Sequence, residues 1–207
     1  MKLVLATHNP HKRDELEAVL RTELGEDVTI ITLDNIHPPI GEIEETGSTL
    51  EENAIIKARA VFDRTGLATV ADDTGLEVRA LNGAPGVYSA RYAGLDATYN
   101  SNIDKLLGEL APHNDRSARF RTIVAYINEA GDECLFNGEV KGEILIERKG
   151  EKGFGYDPVF APVEDSAKRS FAQMSADEKN AISHRGRALR KLTEQLRKER
   201  ASSRSTA

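Results

Sequence analysis

Tryptophan is absent, cysteine occurs once, and aromatic residues make up only 5% of the chain. A single thiol, Cys134, cannot close an internal disulfide, so no covalent framework holds this fold and a reducing compartment suits it. No cluster of Cys and His has zinc-ligand spacing. Long apolar runs are missing as well. Met1–Thr7 and Leu67–Ala71 are among the longest, far short of the roughly 20 residues that cross a bilayer, so no membrane partner is expected. Met1-Lys2 passes straight into Leu3-Val4-Leu5-Ala6, so the reading expects no leader and a cytoplasmic protein. Positive charge is in deficit: 28 Lys and Arg stand against 34 Asp and Glu, a net charge of −6. That removes the basic footprint a duplex nucleic-acid binder needs. The one basic stretch, Arg187, Arg190, Lys191, Arg197, Lys198, Arg200 and Arg204, reads as the solvated face of a terminal helix. Neither a G-x-x-x-x-G-K-[ST] phosphate loop nor a G-x-S-x-G elbow occurs.

What remains is an ordinary globular composition. The 207 residues are 39% hydrophobic and 30% charged, enough for one domain with a real core. Strand-like and helix-like patterns alternate, which predicts an α/β fold. Met1–Thr7 reads as a buried strand. Asn9 then caps a helix with Pro10 at its first position, and Gly25 ends it. Val28–Leu33 is a second strand. Ser48 and Thr49, with Glu51 and Glu52 three residues on, open another helix that Gly66 stops. Leu67–Ala71 is a third strand, with Asp72-Asp73-Thr74-Gly75 at its end. Asn82–Gly94 is a Gly/Pro loop, Tyr99–Leu110 a helix, and Ala118–Asn128 and Glu133–Ile146 paired strands turning at Ala130-Gly131-Asp132. Ser175 caps a last helical stretch that restarts near Ser183 and runs to about Arg200. Residues 1–200 form a single domain, and the Ser-rich residues 201–207 a flexible tail.

Four groups of residues carry possible chemistry. In Thr7-His8-Asn9-Pro10-His11-Lys12 a strand gives way to a helix with a lysine in its first turn, and free N–H groups, the helix dipole and Lys12 all favour an anion. An ordinary capped helix with a surface lysine fits the same letters. Glu44-Glu45 and Asp72-Asp73 form an acidic set. Two carboxylates ~4 Å apart repel by roughly 4 kcal/mol at an effective dielectric of 20, so a converging set needs a cation or a raised pKa. Magnesium, an oxygen-seeking ion, suits them; a plain turn and solvated glutamates fit too. Gly153-Phe154-Gly155-Tyr156-Asp157-Pro158 holds an aromatic ring on a glycine-flanked loop, either as a shelf for a flat ligand or tucked into the core. Lys179, with Ser183-His184-Arg185-Gly186, supplies planar and cationic donors suited to carbonyl oxygens, or simply a helix cap with surface cations.

Taken together, Ala6-Thr7-His8-Asn9-Pro10-His11-Lys12, Glu45-Thr46-Gly47, Glu52-Asn53-Ala54, Ala71-Asp72-Asp73-Thr74-Gly75-Leu76, Gly83-Ala84-Pro85-Gly86-Val87-Tyr88-Ser89-Ala90-Arg91-Tyr92, Gly153–Pro158 and Ser183-His184-Arg185-Gly186 resemble, in order, the inosine triphosphate pyrophosphatase family. The resemblance spans Lys2 to about Leu196. It implies an elongated, two-lobed α/β fold with a long mixed sheet flanked by helices and an active-site cleft between the lobes. It implies hydrolysis of ITP, dITP and XTP to the nucleoside monophosphate and pyrophosphate, one or more Mg2+ ions per site, and a homodimer.

Position by position, the resemblance implies that Thr7, His8, Asn9, Pro10, His11 and Lys12 surround the triphosphate, with Lys57 reaching it. Glu45 (or its neighbour Glu44) and Asp73 are the metal-side carboxylates, and Asp73 is the base for the attacking water. Thr74 stands where many members carry serine, and either hydroxyl can contact the substrate; His8 stands where many carry glycine. Phe154, Gly155, Tyr156 and Asp157 line the base pocket, and Lys179, His184 and Arg185 reach the base and its surroundings. A catalytically silent nucleotide-binding module and a pyrophosphatase for a modified pyrimidine triphosphate are the alternatives.

Overall fold

The computed structural model describes residues 1–25 and 28–205. Its sheet runs β2 (Thr29–Thr32), β1 (Lys2–Leu5), β3 (Thr69–Val78), β5 (Ser117–Ile127), β6 (Glu133–Ile144) and β7 (Phe160–Pro162), with β4 (Pro85–Gly86) paired to β3. Strand β1 (Lys2–Leu5) lies between β2 (Thr29–Thr32) and β3 (Thr69–Val78), parallel to both. A strand flanked on both sides in a parallel sheet is covered on both faces, and Leu3, Val4 and Leu5 are fully buried, as an uninterrupted apolar run requires. The α/β expectation therefore holds, and antiparallel pairings of β3 with β4 (Pro85–Gly86) and of β6 (Glu133–Ile144) with β7 (Phe160–Pro162) make the sheet mixed.

Local chemistry sets the helix ends. Helix α1 (Pro10–Leu24) starts where Asn9 Oδ1 accepts the N–H groups of His11 and Lys12, and stops at Gly25, whose φ of +66° suits a residue without a side chain. Helix α2 (Leu50–Thr65) starts with a reciprocal capping box between Thr49 and Glu52 and ends at left-handed Gly66. Helix α3 covers Tyr99–Leu110, and strand β5 covers Ser117–Ile127. Ser175 and Glu178 box the start of α4 (Ala176–Ile182), and extended backbone at Ser183 separates it from α5 (His184–Ser205).

Two readings are corrected, and one strand escapes the sequence. Strand β3 does not stop at Ala71: it continues through Asp72-Asp73-Thr74-Gly75 to Val78, so these acidic residues are not in a turn. Thr74, Leu76 and Val78 keep the two-residue period going, and the last two are fully buried. The parallel pairing with β1 reaches only Val70, so the aspartates still lie just beyond that ladder's carboxyl end. Helix α5 runs to Ser205 rather than Arg200, while residues 206–207 of the expected tail, and the side chains of Arg200 and Arg204, fall outside the described residues. Strand β7 was not legible. It is three residues long and ends in proline, a pattern tolerated at a sheet edge.

The chain divides into two compact units. The first comprises Met1–Asp73, Ile123–Gly138 and Arg185–Ala207, and its core joins Leu3 and Leu5 of β1 to Leu16 and Leu20 of α1 and to Ala188, Leu189, Leu192 and Leu196 of α5. The second comprises Thr74–Thr122 and Glu139–His184, and its core joins Leu76 and Val78 to Ile103, Leu106 and Leu110 of α3 and to Phe120, Phe160 and Phe171. Burying each of these leucine, isoleucine, valine and phenylalanine side chains stabilises by about 1.5–3 kcal/mol. Among the described residues, no helix is long and apolar enough to cross a membrane.

Candidate active site

In the first unit, β1 delivers Thr7 to the start of α1, where the Thr7 hydroxyl accepts the Asn9 N–H at 3.2 Å. His8 turns to the 40-loop, with Nε2 3.0 Å from the Ile40 carbonyl. A carbonyl can only accept, so Nε2 is the protonated nitrogen. Lys12, in the first turn of α1, extends its ammonium to 3.4 Å from Asp72 Oδ2 and 3.5 Å from the Asp72 carbonyl. Arg185 grips the same Asp72 oxygen through Nε and Nη2, each at 3.1 Å, and gives Nη1 to Glu15. Asp72 is fully buried in this cage of cations. Burial alone would push its carboxyl up, but Lys12, Arg185 and Lys57 outweigh it and hold the group far below the usual carboxylate range. Lys12 goes the other way: burial and the neighbouring cations Lys57 and Arg185 lower its ammonium despite Asp72.

One step along the strand, the charges reverse. Lys57, on the buried face of α2, lies 2.5 Å from Glu45 Oε1 and 3.5 Å from Asp73 Oδ1. Burial works against its charge, but Asp73, Asp72 and Glu45 more than compensate and raise its pKa. Asp73 is nearly buried, and desolvation raises its carboxyl above the ordinary value even though Lys57 and Lys12 pull it down. Adjacent aspartates thus have opposite tendencies: the surrounding cations hold the Asp72 carboxyl low, while desolvation holds that of Asp73 high.

The second unit carries a different set. Phe154 is half-buried, 6.0 Å from the Tyr99 ring between centroids, and the Lys179 ammonium stands 5.0 Å from its centre. Lys179 also binds Asp157 Oδ2 at 2.5 Å, and that oxygen accepts the Phe154 N–H at 2.9 Å. Gly153 makes room for this: at φ +73°, an added Cβ would sit 2.1 Å from the same carboxylate oxygen. His184 stacks on Phe120 at 4.5 Å with the planes 12° apart. The hydroxyls of Thr74 and Thr122 meet at 2.6 Å. Tyr156 is a core residue whose hydroxyl donates to the Ser89 carbonyl.

The pattern of the Ham1 family matches residues 3–195. This chain belongs to the Ham1 family. It is similar to a dITP/XTP pyrophosphatase of Christiangramia forsetii, 50% identical over 198 residues that cover 96% of this chain and all of that one. Among solved structures it is similar to a HAM1 protein from Coxiella burnetii, with 43% identity, TM-score 0.84, and 96% and 99% of the two chains covered. It is also similar to the Staphylococcus aureus Ham1 protein, with 39% identity, TM-score 0.84, and 96% and 100% covered.

Within this Ham1 chain the first unit contains Thr7, Asn9, Lys12, Glu45, Lys57, Asp73 and Arg185, and the second contains Phe154, Asp157, Lys179, His184 and Thr74. Glu44, Pro10 and His11 are exposed, and of the two neighbouring glutamates it is Glu45 that meets Lys57. Arg185, expected near the base, has its guanidinium on Asp72 and Glu15. Glu15 was missed. Its position three residues after Lys12, on the same helical face, was the available signal. Asp72 was read only as an acidic neighbour; its role as counter-ion to two cations needs coordinates.

Proposed function

We propose that this chain is a nucleoside triphosphate pyrophosphatase that hydrolyses ITP, dITP and XTP to the nucleoside monophosphate and pyrophosphate. The observation that carries this reading is the alternation of charge in the first unit: Lys12 on Asp72, and Lys57 shared by Glu45 and Asp73. Support also comes from a relative at 50% identity over nearly the whole chain that bears the name dITP/XTP pyrophosphatase.

The donor set fits magnesium. Glu45 and Asp73 offer hard oxygens that already share one cation, the Lys57 ammonium. Among the described residues no group of three or more His, Cys, Asp or Glu could form an all-protein cage. One or two carboxylates plus substrate phosphates is the usual magnesium arrangement. When bound, the ion neutralises phosphate charge and helps shape the triphosphate. Lys12 and the start of α1 stabilise charge on the departing pyrophosphate. Lys57 holds Asp73 and a phosphate oxygen in register. Asp73, with its raised pKa, accepts the proton of the water that attacks the α phosphorus.

For the base, Phe154 provides a stacking face, and Lys179 with Asp157 provides a donor beside an acceptor. Hypoxanthine and xanthine present an oxygen at position 6, where adenine presents an amino group. A buried ammonium meets the first as an acceptor and the second as a competing donor, a mismatch able to discriminate by about 10⁴–10⁵. Arg185 acts on the other end of the reaction by fixing Asp72.

The active form is proposed to be a cytoplasmic homodimer. Exposed Tyr88 with Arg91 over its ring, and exposed Leu95, make the loop that contains them the candidate interface. Pyrophosphate release measured across ITP, dITP, XTP, GTP, ATP and modified pyrimidine triphosphates, with magnesium, tests the whole reading. Release confined to the first three supports it. Silence with every substrate would favour a binding module, and a pyrimidine preference would change the substrate class.

A further inference from the structure

Asn53 sits one helical turn before Lys57 on α2, on the same face, and is fully buried. Its Oδ1 accepts the Gly47 N–H at 2.8 Å, and its Nδ2 is buried with no hydrogen-bond partner among the described residues. The two ends of the amide cannot be exchanged, because an N–H of Gly47 needs an acceptor. Half of this side chain therefore sits in the interior unused, which costs free energy that an apolar residue of the same size would avoid. Packing does not explain an asparagine here; the acceptor for Gly47 does.

Gly47 is held unusually close. A Cβ there would lie 2.6 Å from Asn53 Oδ1, 2.6 Å from Glu52 Cβ and 2.9 Å from the Asn53 nitrogen. The loop thus lies against the first turn of α2 at a distance only glycine permits. On its far side, Glu52 ties the Ser48 N–H and hydroxyl at 2.6 and 2.8 Å. Two residues before Gly47 stands Glu45, whose carboxylate reaches Lys57. We propose that Asn53 is a positioning residue: by pinning Gly47 it sets where the Glu45 carboxylate stands relative to Lys57 and Asp73. This rests on the reading of Glu45 as part of the pyrophosphatase machinery.

The test is a double-mutant cycle on the full chain with Asn53→Leu, Glu45→Gln and the pair, using pyrophosphate release from ITP. If Asn53 acts through Glu45, Asn53→Leu lowers kcat/KM by about 10-fold or more, and adding it to Glu45→Gln costs less than about 2-fold further. Losses that multiply would overturn the proposal, since a generally loosened fold adds its cost whatever stands at 45. Amide hydrogen exchange gives a readout that needs no turnover: Glu45–Ser48 should exchange about 10-fold faster or more in Asn53→Leu while the interior of α2 is unchanged. Unchanged protection of that loop also overturns it. Should Asn53→Leu fail to fold, Asn53→Ala goes through the same cycle and the same exchange measurement. A wild-type chain that releases no pyrophosphate would sink the enzyme reading alone, leaving exchange to decide on Asn53.

Discussion

The Lys57 ammonium lies 3.5 Å from Oδ1 of Asp73, a carboxyl that desolvation raises and Lys57 lowers. Removing the lysine takes away the largest influence favouring the anion. Lys57→Met should therefore move the acid limb of the pH–rate profile to higher pH, because Asp73, the proposed base, then ionises later. At pH 7, kcat/KM should also fall by about 10²-fold or more as phosphate stabilisation is lost. A pH profile of ITP hydrolysis for both proteins checks the direction.

Asp73→Asn separates activity from stability. Loss of the proposed base should reduce kcat by about 10²–10⁴-fold. The folded-state pKa of Asp73 is raised, so its contribution to stability is full below the unfolded value and is lost as pH rises through the folded one. Above that range the buried anion is a burden, and a neutral amide removes it. Thermal melts at pH 8 should place the variant at or above wild type, and a clearly lower Tm would contradict this account of the site.

Asp72 has the opposite sign. Its folded pKa is depressed, so its contribution is present above the unfolded value near 4 and is lost as pH falls toward the folded value. Asp72→Ala takes from the largely buried Lys12 and Arg185 the counter-ion they share and should cost about 3–5 kcal/mol in urea unfolding at pH 7. The gap between variant and wild type should narrow as pH drops below about 4.

Two substitutions distinguish stacking from donor chemistry. Phe154→Ala removes a face that every base possesses, worth about 1–3 kcal/mol, and should weaken ITP and ATP alike. Lys179→Met removes the ammonium beside Asp157 and should lower the ITP-to-ATP ratio of kcat/KM by about 10-fold or more. Steady-state kinetics with both nucleotides measures it, and an unchanged ratio removes Lys179 from selectivity.

Much of this was legible in the letters because the signals are local. Asn9-Pro10 and Thr49…Glu52 announced the starts of α1 and α2, and Gly25 and Gly66 their ends, since caps depend on nearest neighbours. The extent of β3 was not, because Asp-Asp-Thr-Gly spells a turn locally and only cations brought from α1, α2 and α5 make buried aspartates tolerable in a strand. For the same reason Glu15 and the turn of Arg185 toward Asp72 escaped notice: ion pairs between residues 170 and 113 positions apart leave no mark on spacing.

The first unit's core closes only when Ala188, Leu189, Leu192 and Leu196 of α5 meet Leu3, Leu5 and Leu16. During translation β1 and α1 therefore leave the ribosome early but stay without their α5 packing partner until residues 188–196 have followed. The part of the enzyme made first is finished last, and nascent chains arrested before residue 184 should present β1 and α1 to chaperones as bare apolar surface.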